Sequence, residues 1–180
     1  SQLFAADGTP LHHHFSYLAV ADLAAAAARA ERRLEARTLL ERLFAQVSPA
    51  PGPRLEQLAA RARGLLAEPD RAEAHFAVPL ADPAGDTWPF ERAQLQLDYG
   101  EWLRRQRRIN DAKPILATAL ETFRQLGAAP WTRRAESELR ACGVIVHDLP
   151  TAPGALDGLT AQEREIVILA GQGLTNVEIM

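Results

Sequence analysis

Three consecutive histidines, His12, His13 and His14, are the side chains that most directly suggest metal chemistry in this sequence. Imidazole nitrogens are frequent zinc ligands, which raises the hypothesis of a metal site. Consecutive residues of a helix point about 100° apart, so they cannot converge on one ion without ligands from another part of the chain. We therefore expect no native metal site here.

A cluster of arginines could bind nucleic acid or an acidic partner, and its members are Arg104, Arg105, Arg107 and Arg108. The alternative is the charged end of a helix, where cations offset the negative end of the helix dipole and stay in solvent. We favour the second interpretation. It predicts that replacing Arg104 with alanine has little effect on stability.

Aromatic and thiol side chains are the remaining candidates for binding or chemistry. Trp88, Trp102 and Trp131 could line a ligand pocket, but tryptophans at helical spacing more often belong to the core of a repeat. Together with the arginines they form our candidate surface for a partner. The single cysteine, Cys142, lies on an apolar face and is expected to be a buried, inert thiol.

Catalysis and cofactor binding find no support in the residue pattern. No nucleophile, base and orienting group recur at a usable spacing, so we expect no enzyme. The phosphate-binding pattern G-x-x-x-x-G-K-[ST] does not occur, and we expect no ATP or other cofactor.

Charge and hydropathy limit the classes of partner. The formal net charge of -3 offers no long-range attraction for nucleic acid or for an anionic membrane. No apolar run is long enough to cross a bilayer, and the first residues lack the order of a signal peptide. A single cysteine fits a reducing compartment. We expect a cytoplasmic protein without a membrane partner.

The elements that would position these side chains follow from an internal repeat. Alanines that each follow an acidic residue recur 38 positions apart, at Ala36, Ala74 and Ala112. Twelve positions before each of them stands another small residue, at Ala24, Ala62 and Gly100. Apolar residues after these alanines keep the spacing of one helix face. Small residues at both positions would let two paired helices approach closely, as in the tetratricopeptide plan, which this pattern resembles.

The repeat predicts an all-α fold without a β-sheet, in which the helix hairpins form a right-handed, tetratricopeptide-like solenoid. We expect seven helices from about Leu11 to Gly143, namely three antiparallel pairs and a terminal helix that begins near Pro130. Asn110 is a predicted N-cap for the second helix of the third pair. Pro79 should shorten or kink the second helix of the middle pair.

Three regions follow from the composition along the chain. Residues 1–143 form the repeat region, and residues 144–158, which contain several Pro and Gly, are the expected linker. Residues 159–180 begin a second module. In it, Thr160 and Glu163 form a capping box at the start of a helix.

This last stretch, LTAQEREIVILAGQGLTNVEIM, resembles the start of the LuxR-type helix-turn-helix domain. The positions that carry the resemblance are Thr160, Glu163, Glu165, Gly173, Thr175, Asn176 and Glu178. Residues 88–143 are similar to the segment that precedes this domain in large ATP-binding LuxR regulators. The resemblance implies a transcriptional regulator whose helical repeats bind an inducer or a protein partner.

A helix-turn-helix reads bases with its recognition helix, and Met180 falls in the helix before it. We therefore expect that this chain does not bind DNA and that promoter DNA is a partner only of a longer parent protein. Residues 159–180 hold one arginine against three glutamates, the wrong sign for phosphate contact. A second copy of the chain is a further expected partner. The alternative function is a free-standing tetratricopeptide-like adaptor for protein interaction.

Overall fold

The computed structural model describes residues 18–45 and 52–146 of the chain. These residues form seven α-helices and one short 3-10 helix, with no strand among them, so the prediction of an all-α fold is confirmed for them. The predictions for His12 to His14, for residues 147–158 and for residues 159–180 lie outside the described residues. None of the described helices is long and apolar enough to cross a membrane.

The α-helices follow one another through short connections and form three hairpins and a last helix. Their bounds are α1 Val20–Arg29 and α2 Arg33–Ala45 (first hairpin), α3 Pro53–Leu66 and α4 Pro69–Ala81 (middle hairpin), α5 Pro89–Arg105 and α6 Ile109–Gln125 (third hairpin), and α7 Ala129–Ala141. The 3-10 helix, Pro83–Thr87, lies between α4 and α5.

Proline starts several of these helices. Pro53, Pro69 and Pro89 are the first residues of α3, α4 and α5, where the fixed φ of proline suits a helix and the missing N–H costs no helical bond. Pro79 lies in the last turn of α4, which ends two residues later at Ala81. Proline therefore marks both the beginning and the end of α4.

The predicted N-cap at Asn110 is wrong, because α6 begins one residue earlier, at Ile109, after Arg108. The chain enters α6 from a tight turn in which Arg107 has a φ of 63°. A matching turn joins α1 to α2, where Glu31 has a φ of 58°. In each turn the amide of the next residue donates to a carbonyl five positions back, which closes the preceding helix.

The buried apolar side chains form two clusters, and the middle hairpin contributes to both. The first cluster joins the first hairpin to α3 and consists of Val20, Ala21, Ala24, Ala36, Leu40, Leu43, Leu58, Ala62 and Leu66. The second cluster joins Ala72 and Phe76 of α4 to the third hairpin and α7. In the middle hairpin, buried residues of α3 therefore belong to the first cluster and those of α4 to the second.

The repeat residues are buried at five of the six predicted positions, namely Ala24, Ala36, Ala62, Gly100 and Ala112. The prediction is wrong at Ala74, which is exposed on α4, whereas Ala72 is 1% exposed. The physical reason lies in the connection between α3 and α4. It has two residues, whereas α1–α2 and α5–α6 are joined by three, so the inward face of α4 falls earlier in the sequence.

Glycine allows the closest helix approach in two hairpins. A Cβ on Gly100 would stand 2.5 Å from Cγ of Leu116, so α5 and α6 cross where only glycine fits. In the middle hairpin this role belongs to Gly64, whose Cβ would stand 2.5 Å from Cζ of Phe76. Gly64 therefore contacts α4 in the middle hairpin, whereas Ala62 is buried in the cluster with the first hairpin.

Candidate functional site

Ion pairs join α3 to α5, the first helices of the middle and third hairpins. Arg54 contacts Glu91 at 2.6 Å, and Arg61 contacts Asp98 at 2.6 Å. The two arginines are seven residues apart on α3, as the two acids are on α5. Seven residues are two helical turns, so both pairs lie along the same seam between the helices.

Arg61 and Asp98 are both buried charges, each with 2% of its surface exposed. The Nε of Arg61 donates to Oδ2 of Asp98 at 2.6 Å, and its Nη1 donates to Oε1 of Gln94 and Oδ1 of Asp22, both at 3.3 Å. Its guanidinium carbon lies 5.8 Å from the ring centroid of Trp131. These contacts offset the cost of removing a cation from water.

A second arginine, Arg134 of α7, completes this cluster. Its Nη2 donates to Oδ1 of Asp98 at 2.6 Å and to Oε2 of Glu101 at 2.7 Å. Burial lowers the pKa of Arg134, but the two carboxylates outweigh burial and the pKa is raised overall. We call Arg61, Asp98, Arg134 and Glu101 the arginine network, and it connects α3, α5 and α7.

Beside the arginine network lies a groove of about 530 Å³ bounded by α1, α3, α5 and α7 and by Arg33 at the start of α2. A smaller pocket of about 160 Å³ shares part of its lining. Trp131 and Pro130 form part of one wall, and Ala25, Ala28 and Leu65 form an apolar wall. The groove therefore combines apolar surface with charged side chains.

The carboxylates that line the groove already have partners. Both oxygens of Asp98 accept bonds from the arginine network. Glu101 pairs with Arg105 as well as with the network, and Glu138 accepts from Nε of Arg104 at 2.6 Å. The negative charges of these three carboxylates are therefore balanced by arginines of the same chain.

Arg29 and Arg33 line the same groove and are exposed. No carboxylate of residues 18–45 or 52–146 lies within ion-pair distance of either one. Arg105 and Arg134 bring the arginines of the lining to four, against three carboxylates. Since those carboxylates are already paired, the groove presents a surplus of positive charge to solvent.

The structure separates the predicted arginine cluster into different environments. Arg104 is 26% exposed at its side chain and bonds to α7, so the expectation of a solvated run is wrong at this position. Arg105 lines the groove. Arg107 is exposed in the turn after α5, and Arg108 reaches back to Glu73 of α4 at 2.6 Å.

The three tryptophans do not form one pocket. Trp131 lines the groove and stacks on Phe123 at 5.9 Å between ring centroids. Trp102 lines the smaller pocket and stacks on Tyr99 at 6.1 Å. Trp88 is 36% exposed and belongs to the lining of neither. Trp131 thus packs against the core and lines the groove, whereas Trp102 packs against the core and lines the smaller pocket.

Cys142 and the possible metal ligands are the other reactive groups considered among the described residues. Cys142 is buried, and burial raises the pKa of its thiol, which disfavours the reactive thiolate. Among the residues that the structure describes, no three His, Cys, Asp or Glu side chains are grouped so that they could hold a metal ion. The arrangement of the site can bind a ligand through charge and shape.

Comparison with protein-family models, with curated proteins and with solved structures found no match. The resemblance to LuxR-type regulators therefore rests on the sequence motif of residues 159–180 and on the segment before it.

Proposed function

We propose that this chain belongs to a LuxR-type transcriptional regulator and that its helices form the region that binds an inducer or a protein partner. The observation that carries the proposal is the groove, on which the first helices of all three hairpins converge with α7. A ligand placed there touches every hairpin at once. Its binding energy can therefore favour one arrangement of the hairpins over another.

The arginine network supports a sensing role for the groove. Asp98, Glu101 and Arg134 belong both to the network and to the groove lining. A ligand that changes the contacts of Arg134 also changes those of Asp98 and, through it, of the buried Arg61. A binding event at the surface is thus coupled to the packing of α3 against α5.

We further propose that the hairpins form a tetratricopeptide-like solenoid. The matching turns at Glu31 and Arg107 support it, as do the glycine crossings at Gly64 and Gly100. In such a stack each hairpin packs on its neighbours, and the first helices line one common surface. Most residues of the groove lining belong to the first helices α1, α3 and α5 and to α7, which agrees with a common surface of this kind.

DNA binding tests the regulator proposal. A mobility-shift assay would compare the 180-residue chain with a chain continued through a complete LuxR-type helix-turn-helix domain, on promoter DNA of the parent gene. We expect specific binding of the continued chain, as a dimer on paired half-sites, and none of the 180-residue chain. Equal binding by both chains would place the DNA contact in the repeats. No binding by either would favour the free-standing adaptor.

A further inference from the structure

We propose that the groove binds a small organic anion, a molecule with a carboxylate or phosphate group attached to an apolar or aromatic portion. This inference rests on the proposed function, because it names the chemical class of the inducer. The supporting observations are the charge of the groove lining, its apolar wall and its size.

The charge of the lining selects an anion. Arg29 of α1 and Arg33 of α2 line the groove, and neither forms an ion pair with a carboxylate among the described residues. Arg105 faces the same space from α5 and already shares Glu101. Guanidinium groups bind carboxylate or phosphate oxygens through paired, charge-assisted hydrogen bonds. An anionic ligand group would satisfy Arg29 and Arg33 without breaking the arginine network.

The apolar wall selects a ligand with an uncharged portion. Ala25, Ala28 and Leu65 present only methyl and methylene groups to the groove, and Trp131 contributes an aromatic ring. Inorganic phosphate alone would leave this apolar wall exposed to solvent. A ring or short alkyl group on the ligand would cover it and gain hydrophobic free energy.

The size of the groove favours a small molecule over a folded partner. Its volume of about 530 Å³ falls in the range of small-molecule sites. Pro130 and Trp131 of α7 form part of its wall. We therefore commit to a small molecule and treat an acidic peptide as an outcome of the test.

Isothermal titration calorimetry on the 180-residue chain would measure binding of phenyl phosphate, inorganic phosphate, phenol and a hexaglutamate peptide. We expect phenyl phosphate to bind at least about tenfold more tightly than inorganic phosphate, and phenol not to bind. The double variant Arg29→Gln, Arg33→Gln should weaken phenyl phosphate binding by at least about tenfold. The control variant Arg71→Gln, Arg133→Gln has the same loss of charge at exposed positions outside the groove and should bind as the unchanged chain does.

Circular dichroism melts of both double variants check that each is folded, and only folded variants are compared. Equal binding of phenyl phosphate by the two variants would overturn the proposal, as would equal binding of phenol. Tighter binding of hexaglutamate that the Arg29, Arg33 variant abolishes would replace the small molecule by an acidic peptide. If no anion binds while the continued chain still recognises promoter DNA, the ligand class is wrong and the regulator proposal stands.

Discussion

The first and third hairpins correspond at a shift of 76 positions, and the middle hairpin does not fit this series. Glu31 and Arg107 occupy the same place in matching turns. After each turn, Ala36 and Ala112 are buried at the same distance along the next helix. The middle hairpin has a shorter connection and an inward face that is shifted along α4. The comparison teaches that the turn, more than the helices, sets the register of each hairpin.

The first and third hairpins have an aspartate at the same repeat position, but the two aspartates differ in burial and in their distance to Arg61. Asp22 and Asp98 are 76 positions apart, and both contact Arg61 of the middle hairpin. The side chain of Asp98 is 1% exposed and lies 2.6 Å from Arg61, whereas that of Asp22 is 70% exposed and lies 3.3 Å away. Equivalent residues thus form one buried and one solvated ion pair with the same cation.

The largest expected effect separates these two acids. Asp98→Ala would leave Arg61 buried without its carboxylate and should lower the free energy of unfolding by about 3–5 kcal/mol. Asp22→Ala removes an exposed contact and should cost less than about 1 kcal/mol. Urea denaturation of both variants measures the difference. Similar midpoints for the two would show that the buried pair has no special weight.

Helix crossings give the next test. Gly100→Leu should destabilise the chain by at least about 2 kcal/mol, because the new side chain overlaps Leu116 and forces α5 from α6. Gly64→Leu should cost as much, through its overlap with Phe76. Gly52→Leu is the control, since nothing lies within 4 Å of a Cβ there, and its cost should stay below about 1 kcal/mol. Guanidinium chloride midpoints would contradict the crossings if all three variants lost the same stability.

The shifted register of the middle hairpin predicts opposite results at two nearby alanines. Ala72→Leu places a larger side chain in a filled core and should cost about 1–3 kcal/mol. Ala74→Leu adds the same atoms on an exposed face and should change stability by less than about 0.5 kcal/mol. Thermal melts rank the pair. The reverse ranking would restore the uniform 38-residue spacing in this hairpin.

The smallest expected effect concerns the connections themselves. Arg107→Gly and Glu31→Gly should each stabilise the chain by up to about 1 kcal/mol, because glycine adopts a positive φ without steric cost. Glu68, in the connection of the middle hairpin, has a φ of -65°, which any residue adopts. Glu68→Gly should therefore destabilise the chain slightly through the entropy of the unfolded state. If glycine stabilised the chain at all three positions, the gain could not be assigned to the positive φ of Glu31 and Arg107.

The helices and their proline boundaries could be predicted from the sequence because they depend on local patterns. Pro130 and Gly143 bracket the last helix region in both the prediction and the structure. The register of α4 could not be predicted, because it depends on a connection length that the spacing of Ala62 and Ala74 does not reveal. A repeat search that assumes one period overlooks such a change.

The arginine network could not be predicted either, although one feature of the sequence indicates a buried charge. Arg61 lies among alanines and leucines on a helix that packs on both sides, where a charge demands a partner. The acid that pairs with it stands 37 positions later, on another helix. Only the packing of α3 against α5 selects Asp98 from the other acids of the chain.

The ion pair of Arg61 with Asp98 also has a consequence for folding during synthesis. Synthesis proceeds from the N-terminus, so α3 leaves the ribosome before Asp98 on α5 exists. Until then the exposed Asp22 of α1 is the acid available to Arg61, and we expect the guanidinium to stay hydrated, because its burial is costly without the close, buried carboxylate of Asp98. We therefore expect α3 to pack against α5, and the two cores to join, only after the third hairpin has been synthesised.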